Sequence, residues 1–184
     1  MFRDLYESEI ECRVAQAKDS GVSLLLYKDS RVDQTILDET VGPMNWQRHH
    51  TRENANCIVS IWDDRKEQWI SKEDTGTESN TEKEKGLASD SFKRACFNWG
   101  IGRELYTAPF IWIKAADCTA LKQNNQGKWQ CFDTFAVEKI KIENKKIVGL
   151  SIVNMKTGQR VFVFTDPIWK AKQTAEQMKA AEGK

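Results

Sequence analysis

The 184-residue chain contains no apolar run approaching the ~18 residues that a membrane-spanning helix needs, so none is expected. Its first residues, Met1 to Glu7, mix charges with no apolar stretch behind them, and no secretory signal is expected either. Paired-cysteine spacing is also missing. The five cysteines, at 12, 57, 96, 118 and 131, include no Cys-x-x-Cys. That argues against a disulfide framework or a zinc ribbon and fits reduced thiols in a cytoplasmic protein. An excess of one charge is lacking: 28 basic and 27 acidic side chains leave a formal net charge of +1, which excludes nucleic-acid binding by bulk charge alone. Histidine occurs only as His49-His50. Adjacent side chains on a strand point to opposite faces, a poor arrangement for one metal ion, and two exposed imidazoles beside Arg48 and Arg52 are expected. The patterns Gly-x-x-x-x-Gly-Lys-Ser/Thr and Gly-x-Gly-x-x-Gly are absent, and Trp99-Gly100-Ile101-Gly102 follows a helix instead of opening one. No nucleotide, metal or other cofactor is expected.

What is present fits a folded domain. Hydrophobic residues make up 40% of the chain and charged residues 30%, enough apolar surface for a core. Seven tryptophans need either that core or a flat partner to stack on. The near-neutral total hides an asymmetry. Residues 1–113 carry 15 basic and 20 acidic side chains, whereas 114–184 carry 13 and 7. We therefore read 1–113 as a core domain, and 114–184 as basic C-terminal strands and a helix continuing it.

The pattern of elements is α+β with mostly antiparallel pairing. Ile10–Val14 alternates apolar with charged residues, Asp19-Ser20-Gly21 signals a turn, and Val22–Tyr27 returns, predicting a hairpin. Ser30 is expected to cap a short helix from Arg31 to about Thr40. Cys57–Trp62 and Gln68–Asp74 read as strands around the turn at 63–66. Thr81-Glu82-Lys83-Glu84 resembles a capping box, so a long central helix is expected from Glu82 to the Gly100 stop. Phe110–Ile113 reads as a strand. A β-meander is expected over about 129–142, 146–153 and 159–165, and a last helix from Pro167, with Asp166 as its N-cap.

Two constellations bear on chemistry. Asp133 with Glu143 and Lys145 has the spacing of a magnesium nuclease, with carboxylates for the ion and a lysine for the attacking water. Glu-x-Lys also suits a hairpin turn. The second is basic and aromatic. On the central helix Lys85, Ser89 and Lys93 fall at i, i+4 and i+8, Arg94 adjoins Lys93, and Trp99 and Arg103 follow. Upstream lie Trp46-Gln47-Arg48, Arg52 and Arg31. Cations that track phosphates, interleaved with rings that stack bases, describe a single-strand binder.

Three segments carry a family resemblance. The stretch from Asp90 through Phe92-Lys93-Arg94-Ala95 and Phe97-Asn98-Trp99-Gly100 to Leu105-Tyr106 resembles a helix motif, Thr-Asp-x-x-Lys-Arg-Ala-hydrophobic-x-x-Phe-Gly…Leu-Tyr. That motif belongs to the Rad-fifty-two superfamily of single-strand annealing proteins, including prophage recombination proteins of the Sak type. Leu37-Asp38-Glu39-Thr40-Val41-Gly42-Pro43-Met44-Asn45-Trp46 is similar to the family's Leu-x-Glu-x-Phe-Gly-x-x-x-Trp segment. Glu73-Asp74-Thr75-Gly76 is similar to its acidic strand end. The resemblance implies a homo-oligomeric ring or helical arc that binds single-stranded DNA in a basic groove and anneals complementary strands without ATP, in phage recombination and repair. A phage exonuclease or a single-strand-binding protein is an implied partner. It assigns backbone contacts to Lys93 and Arg94, and Arg31 is the nearest match to a further DNA-contacting arginine. Where the family often has another basic residue this chain has Phe97, which implies either a less basic groove or compensation by Arg103. Trp46 and Trp99 lie in these motifs and are expected to be structural. Residues after Ile113 match nothing in the family.

Overall fold

The computed structural model describes residues 1–77 and 83–182, with side chains described except at 83–85 and 179–182. The strands, in chain order, are β1 (Glu11–Lys18), β2 (Gly21–Tyr27), β3 (Trp46–Thr51), β4 (Asn56–Asp63), β5 (Gln68–Thr75), β6 (Ile111–Lys114), β7 (Leu121–Gln123), β8 (Trp129–Cys131), β9 (Phe135–Glu143), β10 (Lys146–Asn154) and β11 (Gln159–Thr165). The helices are α1 (Ser30–Val41), α2 (Lys83–Asn98) and α3 (Pro167–Glu182). All strand pairing among the described residues is antiparallel. The architecture is α+β, as the sequence indicates.

Two compact units share the chain. One comprises Met1–Leu5 and Lys28–Arg103, the other Tyr6–Tyr27 and Glu104–Lys184. The charge-based division at 113/114 follows a different line, because β1 and β2 pair with strands from the C-terminal half.

In the first unit, β3-β4-β5 form a sheet with α2 on one face. Cys57, Val59 and Ile61 alternate along β4 toward that face and are buried with Phe92, Ala95 and Cys96 of α2 and Ile36 and Leu37 of α1. Asp29, one residue before the expected cap, is the N-cap of α1: its carboxylate accepts the Arg31 N–H at 2.8 Å. The proposed capping residues Thr81 and Glu82 lie outside the described residues. At its other end α2 stops as expected. Gly100 takes a left-handed φ of 96° and donates to the Phe97 carbonyl, and Ile101 donates to Cys96, the paired bonds of a Schellman cap.

The second unit is a six-stranded sheet in the order β11-β10-β9-β1-β2-β6, with the β7-β8 hairpin apart. Ile10, Val22, Leu24, Ile111, Ile113, Val137, Ile147, Leu150 and Ile152 form its core. The segment expected as one strand over 129–142 is broken between β8 and β9. There Asp133 turns inward and accepts the backbone N–H groups of Thr119 and Ala120 at 2.6 and 3.1 Å. Asp166 caps α3 as expected, accepting from Ile168 and Trp169 at 3.0 Å each.

Candidate nucleic-acid interface

The candidate cations with described side chains all belong to the first unit, and the geometry sorts them. Helix α2 presents successive residues about 100° apart, so Lys93 and Arg94 point different ways. Asp90, Arg94 and Asn98 form the i, i+4, i+8 flank that faces β5. Asp90 accepts the Thr77 N–H at 2.9 Å, Arg94 Nε donates to Asp74 at 3.3 Å, and Asn98 donates to the Glu73 carbonyl at 3.1 Å. Arg94 is still 43% exposed beside that carboxylate.

Lys93 turns instead toward the start of α1. Arg31 pairs with Asp29 through Nε at 2.9 Å and Nη2 at 3.3 Å and is 84% exposed. That guanidinium, with Lys93 adding to it, holds the Asp29 carboxyl below its usual range. Arg31 and Lys93 thus both act on the Asp29 carboxylate, and Lys93 acts on Asp33 as well.

The other candidates have structural partners. Arg103 caps α2, donating to the Phe97 carbonyl at 2.8 Å and the Asn98 carbonyl at 3.0 Å. Lys72, which the sequence does not single out, joins it on Asn98 at 2.8 Å and lies over the Trp99 ring. Both cations sit at the negative end of the helix dipole. Arg48 lies 4.9 Å from the centroid of the buried Phe92 ring, and stays exposed. Lys85 is in the first turn of α2, and its side chain lies outside the described residues.

The aromatics of the motifs serve packing. Trp46 stacks on Phe92 and donates its indole N–H to Asp38 at 2.6 Å, while Trp99 donates to the Val59 carbonyl at 3.1 Å. A base cannot stack on Phe92, which is fully buried. His49 and His50 face opposite sides, as strand geometry requires. His50, however, is half-buried beside Ser91 Oγ at 3.4 Å instead of exposed. Burial, and then Arg48, push its imidazole below the usual range.

Beneath this surface lies a charged pair that the sequence does not reveal. The Lys28 ammonium donates to both oxygens of the Asp33 carboxylate, with the two side chains only 6% and 0% exposed. Gly102, at φ +70°, makes room for it: a Cβ there would meet Lys28 Cε at 2.3 Å.

The nuclease residues do not meet. Asp133 precedes β9 and Glu143 ends it. A nine-residue strand at ~3.3 Å per residue puts them roughly 30 Å apart. Glu143, Asn144 and Lys145 form the β9–β10 turn, with left-handed φ at Asn144 and Lys145.

No protein-family model, curated protein or solved structure matches the chain. No helix among the described residues is long and apolar enough to cross a membrane.

Proposed function

We propose that the chain is a non-enzymatic, ATP-independent single-strand annealing protein that binds DNA along the α1–α2 surface and works as a homo-oligomer. The observation that carries this reading is that the three segments resembling the annealing family, as far as Arg103, pack together within the first unit. Trp46 of the first segment binds Asp38 and stacks on Phe92 of the third. Asp74 of the second holds Arg94 of the third. Gly76 lies so close to α2 that a Cβ would stand 2.5 Å from Ser91 N. Residues that look like a scattered motif thus have a shared structural reason to occur together, and Arg31 and Lys93 are left at its surface.

The mechanism is physical. Neutralised phosphates let two like-charged strands approach, and bases held outward sample register cheaply. If each subunit neutralises about four phosphates, log affinity falls with log salt at a slope near −3 per subunit site. The test is annealing of complementary oligonucleotides without ATP, with particle mass followed by light scattering. The wild type is expected to anneal and to form a large or DNA-lengthened particle. Lys93→Ala/Arg94→Ala is expected to remain folded and to lose annealing. Full annealing by the folded double variant would overturn the site, and absence of DNA binding at low salt would overturn the function.

A further inference from the structure

We propose that Cys118, Cys131 and Asp133 form a binding site for one tetrahedral Zn²⁺ ion that clips the base of the β7–β8 hairpin. The ligand atoms of all three lie within 4.8 Å of one another, and Cys131 Sγ stands 3.6 Å from Asp133 Oδ2. Metal–sulfur bonds of about 2.3 Å and metal–oxygen bonds of about 2.0–2.2 Å set tetrahedral edges of about 3.5–3.8 Å. The donors thus stand near ligation distance, and water supplies the fourth position.

The backbone brings them there. Cys118 follows a 3-10 turn, Ala115–Asp117, Cys131 ends β8, and the two segments are tied by the Phe132 N–H to the Ala120 carbonyl at 3.1 Å. Asp133 is fixed in place by hydrogen bonds to both of its oxygens, as ligating carboxylates are themselves hydrogen-bonded. The donors are the Thr119 and Ala120 N–H groups and the Thr119 hydroxyl, and the Lys156 ammonium lies 3.4 Å from Oδ1.

The charges close. Without metal the site holds two neutral thiols and the Asp133–Lys156 pair, which sum to zero. On binding, both S–H protons leave to solvent, two Zn–S bonds form, and the dication replaces them with no change in local charge. A Lewis acid removes those protons directly. β7 and β8 have three residues each, and so short a two-stranded ribbon gains from a clip at its base.

Co²⁺ titration of the intact protein tests the site. Intense visible d–d bands and a sulfur-to-cobalt charge-transfer band are expected at one ion per chain, displaced by an equivalent of Zn²⁺, with two protons released per ion. Cys118→Ser and Cys131→Ser are each expected to abolish the charge-transfer intensity or halve it, and to weaken binding at least ~100-fold, while Cys12→Ser binds normally. Because a variant can fail to fold, thiol labelling of the wild type gives a second reading: Zn²⁺ is expected to protect Cys118 and Cys131 from an alkylating reagent and to leave Cys12 unprotected. Pale octahedral spectra, unchanged binding by Cys118→Ser, labelling indifferent to Zn²⁺, or isolation of a Cys118–Cys131 disulfide under reducing purification would each overturn the proposal.

Discussion

Lys28 and Asp33 place two opposite charges in the interior of the first unit, where removing either partner strands the other. Lys28→Met or Asp33→Leu alone is expected to cost about 3–5 kcal/mol, and the double variant less than either, as read by urea unfolding. Greater loss in the double variant would show that the pair itself is stabilising. The same site gives a pH signature. Burial raises the Asp33 carboxyl to about 6, against the pull of Lys28, from 3.8 in the unfolded chain. The folded state therefore keeps a proton the unfolded state has lost. The stability this gives is complete below about pH 4 and is lost as pH rises through about 6. The stability difference between wild type and Asp33→Asn is expected to shift against wild type over that interval, and a flat difference would refute it. Gly76 is the other sensitive position. The atoms a Cβ would strike, Ser91 N and Leu87 O, are both backbone, so Gly76→Ala is expected to cost about 1–3 kcal/mol, measurable as a drop in Tm. At this scale the sequence marked Trp46 as structural, but it could not show the close approach of Gly76 to α2 or the Lys28–Asp33 pair. Lys28 lies between β2 and α1, and Asp33, although three and four residues before Ile36 and Leu37 on the buried face of α1, is of a type that reads as exposed.

At the scale of elements, strands and helices with their own signal were legible. The hairpins at 11–27 and 56–75, the C-terminal stop of α2 and the start of α3 followed from alternation, turns and caps. Strand β3 did not, because Trp-Gln-Arg-His-His-Thr has a single strongly apolar residue and owes its state to pairing with β4. The α2 terminus shows why a list of cations is not a site. Arg103 looks like a phosphate ligand in sequence, yet it satisfies helix carbonyls, as Lys72 beside it does. Arg103→Ala is expected to lower stability by about 0.5–1 kcal/mol and leave the salt dependence of oligonucleotide binding unchanged. Arg31→Ala is expected to reduce that slope by about 1 with little effect on stability. Fluorescence anisotropy across a salt series, beside thermal melts, separates the two. An Arg103 variant that flattens the slope would return that residue to the DNA path.

At the scale of the molecule, the units are interleaved along the chain, which composition could not reveal: charge changes near 113, whereas the fold divides between 103 and 104 and again at 5/6 and 27/28. A fragment ending at Ile113 would contain β1 without β9 and would expose an unpaired strand edge. It is expected to self-associate in size-exclusion chromatography, and a monomeric, cooperatively unfolding fragment 1–113 would contradict this.

That interleaving also imposes a schedule on synthesis. Glu11 pairs with Ala136, so at roughly 5–20 residues per second the ribosome keeps β1 waiting about 6–25 s for its partner strand. The whole of 28–103 emerges within that wait and can collapse first. The earliest hairpin of the chain is thus among the last pieces to be locked into its sheet, and during translation it is the segment in most need of shelter from neighbouring nascent chains.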